Sequence, residues 1–465
     1  MQVQTLRFIP SPLATPAPLQ PITITQPAQL PAMTHDLLFA NAQGLMRWRH
    51  AARRIDQLLA WKNPEQAIEG WPSVRFVLSA DGKKALVANK SVVNQTNHFT
   101  LQLYDLKTEK ITTLLTDTTS VLSIALAPDT SWIAYSLLAK QESQSRPWWQ
   151  TLLTSGSCQC GGDTVNGAIY AMRVQPPYQP IRLSDCSEFA PQENCFDLQV
   201  WSAEQIHWAT RLRMPIIAYT KDTATLASVP VLQSSLDVSS AWFAQRSPMD
   251  RYIPIWVTRR PMRQDGPHEE NSDGILDTQT AHIAELPGAM ERERRNNRLA
   301  WLHDGRLAVV RPAVRSERYS AIELWSLNSA REGLLKLDQL LRLPISATNY
   351  PGQPVQLADG QLAFALFNTN PANDFERGLF LLDLRQYTLR KLNRLPASIP
   401  NELHPAGEPQ PAAILWSPDG AGAIFYGYNQ PLPNTLLYIP ADGSPPYGLY
   451  PIVGAQAWGF TWLPE

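Results

Sequence analysis

The chain of 465 residues carries 40 Lys and Arg against 41 Asp and Glu, a formal charge of -1. That balance excludes the basic surplus that a nucleic-acid or polybasic membrane partner requires. Proline is the outlier: 40 of 465 residues, about 9% against a usual ~5%, which suits many loops and argues against long helices.

Residues 1–34 come first. From Pro10 to Pro31 there are seven prolines and no charged side chain. Such a segment buries too little apolar area to offset its ordering entropy. A Pro/Thr-rich disordered tether is expected over 1–34, able to hold the folded part, 35–465, off a surface. Met1 to Leu6 shows neither a basic nor an apolar leader region, and no stretch approaches the ~18 apolar residues of a membrane-spanning helix.

The folded part reads as short strands in repeat. Leu37-Leu38-Phe39-Ala40 turns at residues 41–44 into Leu45 to Trp48, and Ile55 to Leu59 follows. These are three strands of a unit that lacks its first. A clear unit starts near Arg75, where Leu78-Ser79-Ala80-Asp81-Gly82 leads to Ala85-Leu86-Val87. The next starts near Val121, with a degenerate turn at Asp129-Thr130 before Trp132 to Tyr135. Two weaker units share residues 196–286. Further units start near Leu299, Val355 and Ala413, with turns at Asp304-Gly305, Asp359-Gly360 and Asp419-Gly420. The chain runs out in Trp458-Gly459-Phe460-Thr461-Trp462, a strand with no unit after it. In each turn Asp bonds its own backbone and Gly takes positive φ, so the repeated aspartates are expected to be turn residues and not a carboxylate array.

Strands with tight turns, in units of about 40–60 residues, predict an all-β fold, a single β-propeller. Eight four-stranded blades are expected, the last strand completing the blade of Leu37 to Leu59 and closing the ring. Seven blades is the alternative, if 196–290 hold one blade and an excursion.

The phrase Trp416-Ser417-Pro418-Asp419-Gly420 resembles the WD-like repeats of TolB-type propellers, which also occur in prolyl-oligopeptidase-like peptidases. The resemblance covers about 36–465 and implies a structural role for that phrase. It also implies work in envelope protein complexes. The separate α/β domain of TolB and the hydrolase domain of the peptidases have no counterpart here.

All four cysteines, Cys158, Cys160, Cys186 and Cys195, lie in one window. Their spacing matches no familiar zinc site, so two disulfides bridging the pair Cys158 and Cys160 to the pair Cys186 and Cys195 are expected, with metal or free thiols as alternatives. Disulfides place the protein outside the cytoplasm, in the periplasm, at the cell surface or secreted; a cytoplasmic protein with free thiols is the alternative. Trp148 and Trp149 lie in the largest insertion and are candidate partner-binding anchors.

No Gly-x-Ser-x-Gly, His-Glu-x-x-His, Walker A or Gly-x-Gly-x-x-Gly occurs, so no catalytic, metal or cofactor-binding residue is assigned and no cofactor is expected. His268, Glu269, Glu270 and Asp273 read as a solvated loop, and Glu291 to Arg295 as a solvated connection. The loops after each second strand are long, among them Lys90–His98, residues 138–167 and 259–274, and they crowd one face. The expected function is a non-catalytic scaffold or binding subunit for protein partners in an envelope or extracellular complex. A propeller hydrolase or lyase with residues in the central channel is the alternative.

Overall fold

The computed structural model describes the paired strands and most turns between them. Residues 10–32, 61–73, 139–166, 186–194, 287–297, 312–320, 369–377, 394–412, 427–436 and 450–457, and shorter gaps elsewhere, lie outside the described residues.

The protein is all-β among the described residues. In chain order, sheet 1 holds Leu37–Asn41, Gly44–Arg49 and Arg54–Ala60. Sheet 2 holds Val74–Leu78, Lys84–Val93, Thr96–Asp105 and Ile111–Asp117. Sheet 3 holds Ser120–Leu126, Trp132–Leu138, Gly167–Arg173 and Pro180–Asp185. Sheet 4 holds Cys195–Trp201, Gln205–Thr210, Ile217–Asp222 and Ser228–Gln233. Sheet 5 holds Val238–Phe243, Tyr252–Arg259, Glu270–Asp277 and His282–Glu285. Sheet 6 holds Arg298–Trp301, Leu307–Arg311, Ala321–Asn328 and Leu334–Arg342. Sheet 7 holds Asn349–Pro351, Val355–Ala358, Gln361–Asn368, Gly378–Asp383 and Thr388–Asn393. Sheet 8 holds Ala413–Trp416, Gly422–Tyr426, Leu437–Pro440 and Tyr447–Gly448.

Within each sheet these strands pair antiparallel in sequence order, except that in sheet 7 both Asn349–Pro351 and Val355–Ala358 pair with Gln361–Asn368. The two weak copies read in 196–286 are two separate sheets, 4 and 5. Trp458–Trp462 pairs antiparallel with Leu37–Asn41, so sheet 1 gains its first strand from the far end of the chain: Leu37 faces Trp462, and Leu38 faces Thr461.

Where their side chains are described, both faces of these sheets are apolar because both meet another sheet. In Leu37–Asn41 every residue is buried. The alternating side chains divide between two neighbours. Leu38 and Ala40 pack with Ala85, Val87 and Tyr104 of sheet 2. Leu37 and Phe39 pack with Ile424 and Tyr438 of sheet 8. The same sharing joins sheet 2 to 3 through Leu101 and Ile133, 5 to 6 through Ile275 and Val309, 6 to 7 through Leu324 and Phe364, and 7 to 8 through Leu379 and Ile414. Cys195–Trp201 of sheet 4 lies beside Ser120–Leu126 of sheet 3 and Val238–Phe243 of sheet 5.

The turns follow the sequence. Gly82, Gly305, Gly360 and Gly420 all have positive φ, between 65° and 83°. The degenerate copy keeps the shape without the glycine: Thr130 sits at φ 60°, and its N–H donates to the Ala127 carbonyl at 2.8 Å. A β-branched residue is strained there. Thr130→Gly is therefore expected to raise stability by about 1 kcal/mol. Chemical denaturation measures this, and a lower midpoint for the variant would contradict the strain.

Two expectations change. Part of the segment read as a disordered tether is paired: Gln2–Thr5 runs parallel to Leu334–Arg342, and Arg7–Ile9 runs parallel to Thr388–Asn393. Met33, only 2% exposed, packs in the core between sheets 8 and 1. Outer strands present unpaired N–H and C=O groups, and these recruit an extended segment whatever its composition. Secondly, Lys90–His98 is not a loop. Lys90 pairs with Phe99 and Val93 with Thr96, so the two strands continue as a ribbon. Glu270 and Asp273, read as loop, likewise lie in a strand, opposite Arg259 and Trp256.

Candidate functional site

The sheets have two unlike ends. One carries the turns between first and second and between third and fourth strands. These turns meet around neighbouring sheets: Lys84 Nζ donates to Thr130 Oγ1 at 3.3 Å, Arg47 donates to the Leu106 carbonyl at 3.4 Å, and the His303 N–H donates to Gln356 Oε1 at 2.5 Å.

The aspartates at this end serve their own turns. Asp81 Oδ1 accepts from Ser79 Oγ at 2.6 Å and from the Lys83 N–H at 3.1 Å. Asp129 accepts from the Ser131 N–H, Asp304 from the Arg306 N–H and Asp419 from the Ala421 N–H. Burial pushes the Asp419 carboxyl up, but hydrogen bonds from Thr34, Ala421 and Ser417 outweigh it and hold the group below the usual carboxylate range. Asp359 lies outside the described residues. Among the described residues, no group of three or more His, Cys, Asp or Glu is placed to hold a metal ion.

A Cβ on Gly420 would collide with Leu357 of sheet 7, and the φ of 72° disfavours any side chain. Gly420→Val is expected to cost about 2 kcal/mol, with Asp419→Asn milder. Thermal melts of the two variants check this, and a Gly420→Val chain as stable as the parent would contradict it.

Two charged networks escaped the sequence reading. Asp36 leads into Leu37–Asn41. Its carboxylate accepts from Arg47 Nε at 2.7 Å, from the His50 N–H at 2.8 Å and contacts His50 Nδ1 at 2.7 Å. Burial pushes its pKa up, but the bonds from His50 and Arg47 prevail and lower it. Its carbonyl accepts from the Leu463 N–H at 2.8 Å. Asp36 thus pins the carboxy-terminal strand and the Arg49–Arg54 turn at one point. A carboxylate on Nδ1 orients an imidazole for proton transfer at Nε2. His50 lies between third and fourth strands, in the outer half of its sheet, so its role here is positional. The second network is buried between sheets 5 and 6. Arg311 Nε meets Glu323 Oε1 at 2.8 Å, and Trp325 Nε1 donates to Glu323 Oε2 at 3.1 Å. Neither network has a local motif: each acid lies 11 to 14 residues from its basic partners, and one acid among many in the sequence marks nothing.

The opposite end carries the loops after each second strand. Two hairpins rise from it, Lys84–Val93 with Thr96–Asp105, and Tyr252–Arg259 with Glu270–Asp277. A smaller pairing, Met262–Arg263 with Gly266–Pro267, lies inside the second. Of the residues named from the sequence, Cys195 begins the first strand of sheet 4, opposite Thr210. Trp148, Trp149, Cys158, Cys160 and Cys186 lie outside the described residues.

No protein-family model and no curated protein matches the chain. Solved structures do. The dihydro-heme d1 dehydrogenase NirN, solved in complex with DHE, is 14% identical over 97% of this chain and 78% of its own, with a TM-score of 0.50. A prolyl endopeptidase is 11% identical over 82% of this chain and 50% of its own, TM-score 0.45. TolB from Acinetobacter baumannii is 13% identical over 76% and 77%, TM-score 0.28. The fold is that of a β-propeller. The expectation that the chain is not an enzyme is corrected by the same comparison: the structure similar to it at a TM-score of 0.50 is a dehydrogenase, so the missing motifs do not argue for a non-catalytic protein. A propeller draws its reacting groups from several blades, and such a set has no signature in a linear sequence.

Proposed function

We propose that the eight sheets form one closed eight-bladed ring, and that the protein is a propeller enzyme, a hydrolase or lyase, acting on a ligand at the loop-bearing mouth of the central channel. One observation carries the reading. The pairings Lys90 with Phe99 to Val93 with Thr96, and Tyr252–Arg259 with Glu270–Asp277, carry these hairpins on at the loop-bearing end, where they would wall a ligand off from water. The opposite end offers short turns whose aspartates already serve the backbone.

An extracytoplasmic location, disulfides among Cys158, Cys160, Cys186 and Cys195, protein contacts through Trp148 and Trp149, and a tether over 10–32 belong to the same proposal. Non-reducing peptide mapping that finds four free thiols would remove the first two.

The test is a panel of ester, peptide and acidic-polysaccharide substrates. A dihydro-heme is included because the solved dehydrogenase acts on one. Replacing 91–98 by a two-residue turn is expected to lower turnover at least tenfold with a shift in Tm of only ~2 °C. Turnover unchanged by that trimming, or no turnover and no small molecule co-purifying in native mass spectrometry, overturns the reading.

A further inference from the structure

Residues 2–9 cross two blades as one segment. Gln2–Thr5 pairs in parallel with the outer strand of sheet 6, from Gln2 opposite Gln339 to Thr5 opposite Arg342. After the single residue Leu6, Arg7–Ile9 pairs in parallel with the outer strand of sheet 7, from Arg7 opposite Thr388 to Ile9 opposite Arg390. The segment spans the seam that Gln339 and Tyr387 also bridge, Nε2 to hydroxyl at 2.7 Å.

The edge it covers needs covering. Leu334–Arg342 is nine residues long, with Leu at 334, 335, 337, 340 and 341. An uncovered strand of that length and character is a template for pairing with other chains. Two other outer strands carry their own protection: Pro180 opens Pro180–Asp185, and Pro230 interrupts Ser228–Gln233. The outer strand of sheet 8 has only two residues.

The segment is held by its pairing and not by its connection. The 23 residues between Ile9 and Met33 could reach about 80 Å if extended, so chain length alone does not set where the strap lies. Its four and three register pairs are few beside those of the blades.

We propose that residues 2–9 are a detachable strap. It closes the outer edges of sheets 6 and 7, opens as a unit before the ring does, and leaves an edge that accepts a parallel strand of the same sequence supplied in trans.

Hydrogen exchange on the full-length chain tests this. In the parent, amides of 2–9 are expected to exchange through an opening less costly than global unfolding. In the full-length Val3→Pro, Phe8→Pro variant, where two donors are removed, outward-facing amides of 339–342 and 388–390 are expected to exchange at least about tenfold faster. A synthetic peptide of residues 1–10 added to that variant is expected to slow them again. Equal exchange in parent and variant shows that 2–9 do not cover these edges. Fast exchange that the peptide leaves unchanged shows that the edge takes no strand in trans. Should the variant not fold, exchange of 2–9 in the parent at the global rate overturns the strap by itself. Neither outcome bears on the enzyme reading.

Discussion

Removal of residues 458–465 is expected to abolish the soluble fold. The strand Trp458–Trp462 is the first strand of sheet 1, yet its side chains serve three sheets. Phe460 stacks on Phe39 with ring centroids 5.9 Å apart. Trp462 meets the Tyr438 ring edge-on at 6.4 Å and donates Nε1 to the Leu415 carbonyl at 3.3 Å, both in sheet 8. Leu463 packs with Ala85 and Val87 of sheet 2. Phe460, Trp462 and Leu463 are each 5–7% exposed. Losing one buried aromatic costs about 3–5 kcal/mol, so losing two aromatics and a leucine approaches or exceeds the ~5–15 kcal/mol that a whole domain has. The exposed inner edge of Leu37–Asn41 then offers a pairing site to other chains. Size-exclusion chromatography and circular dichroism read the result. A soluble monomer with the parent Tm would show that the fold does not depend on this strand. Trp462→Ala is the graded form, expected to cost about 3–5 kcal/mol while leaving the backbone pairing in place.

The second large effect is expected at Asp36. Asp36→Ala removes the acceptor of Arg47, of the His50 N–H and of His50 Nδ1, and strands a guanidinium whose side chain is 19% exposed. The cost is about 3 kcal/mol, because a partly buried charge loses its partner. Asp36→Asn keeps an acceptor and is expected to cost less. The two differ from the parent in pH dependence. The pKa of Asp36 is lowered in the folded protein, so the unfolded chain takes up the proton first as the pH falls. Its contribution is complete above the ordinary carboxylate value, near pH 4, and disappears as the pH falls through the lower folded value. Asp56 is lowered as well, by the bond it accepts from Arg49, and Asp81 and Asp129 by the bonds each accepts, but the last two stand exposed and contribute less. The readout is therefore the parent-minus-variant difference. It is expected to be constant from pH 5 to 8 and to shrink below about pH 4. A difference that does not change with pH would show that the carboxylate acts through packing alone.

These two predictions concern the same place, and they divide what the amino-acid sequence determines from what the tertiary structure decides. The blades were legible because their signals are local. Alternating apolar residues and an Asp-Gly turn need only about ten neighbouring residues, so Leu78 to Val87, Trp301 to Val310 and Trp416 to Phe425 announce their hairpins. The pairing of Trp458–Trp462 with Leu37–Asn41 was legible for a different reason. One unit lacked a first strand, one strand lacked a unit, and an uncovered inner edge is unfavourable. Even Thr130 follows its repeat, taking positive φ because the turn around it is set by strands on both sides.

The rest was not legible, because nothing local encodes it. Residues 2–9 pair with strands more than 300 residues away, and their composition beside the proline run reads as disorder. The ribbon from Lys90 to His98 has the polar character of a loop, and only the continuation of its two strands makes it a hairpin. Asp36, Arg47 and His50 meet across one hairpin of sheet 1, where Leu38 faces Arg47, and Arg311 and Glu323 meet across adjacent strands of sheet 6, where Val309 faces Glu323. A backbone edge satisfies its N–H and C=O groups with any extended segment that reaches it, and a buried charge takes whichever opposite charge the packing supplies. The amino-acid sequence by itself determines the blades and where each begins; which segment covers an edge, and which charges meet across paired strands, is decided only once the strands have paired and packed.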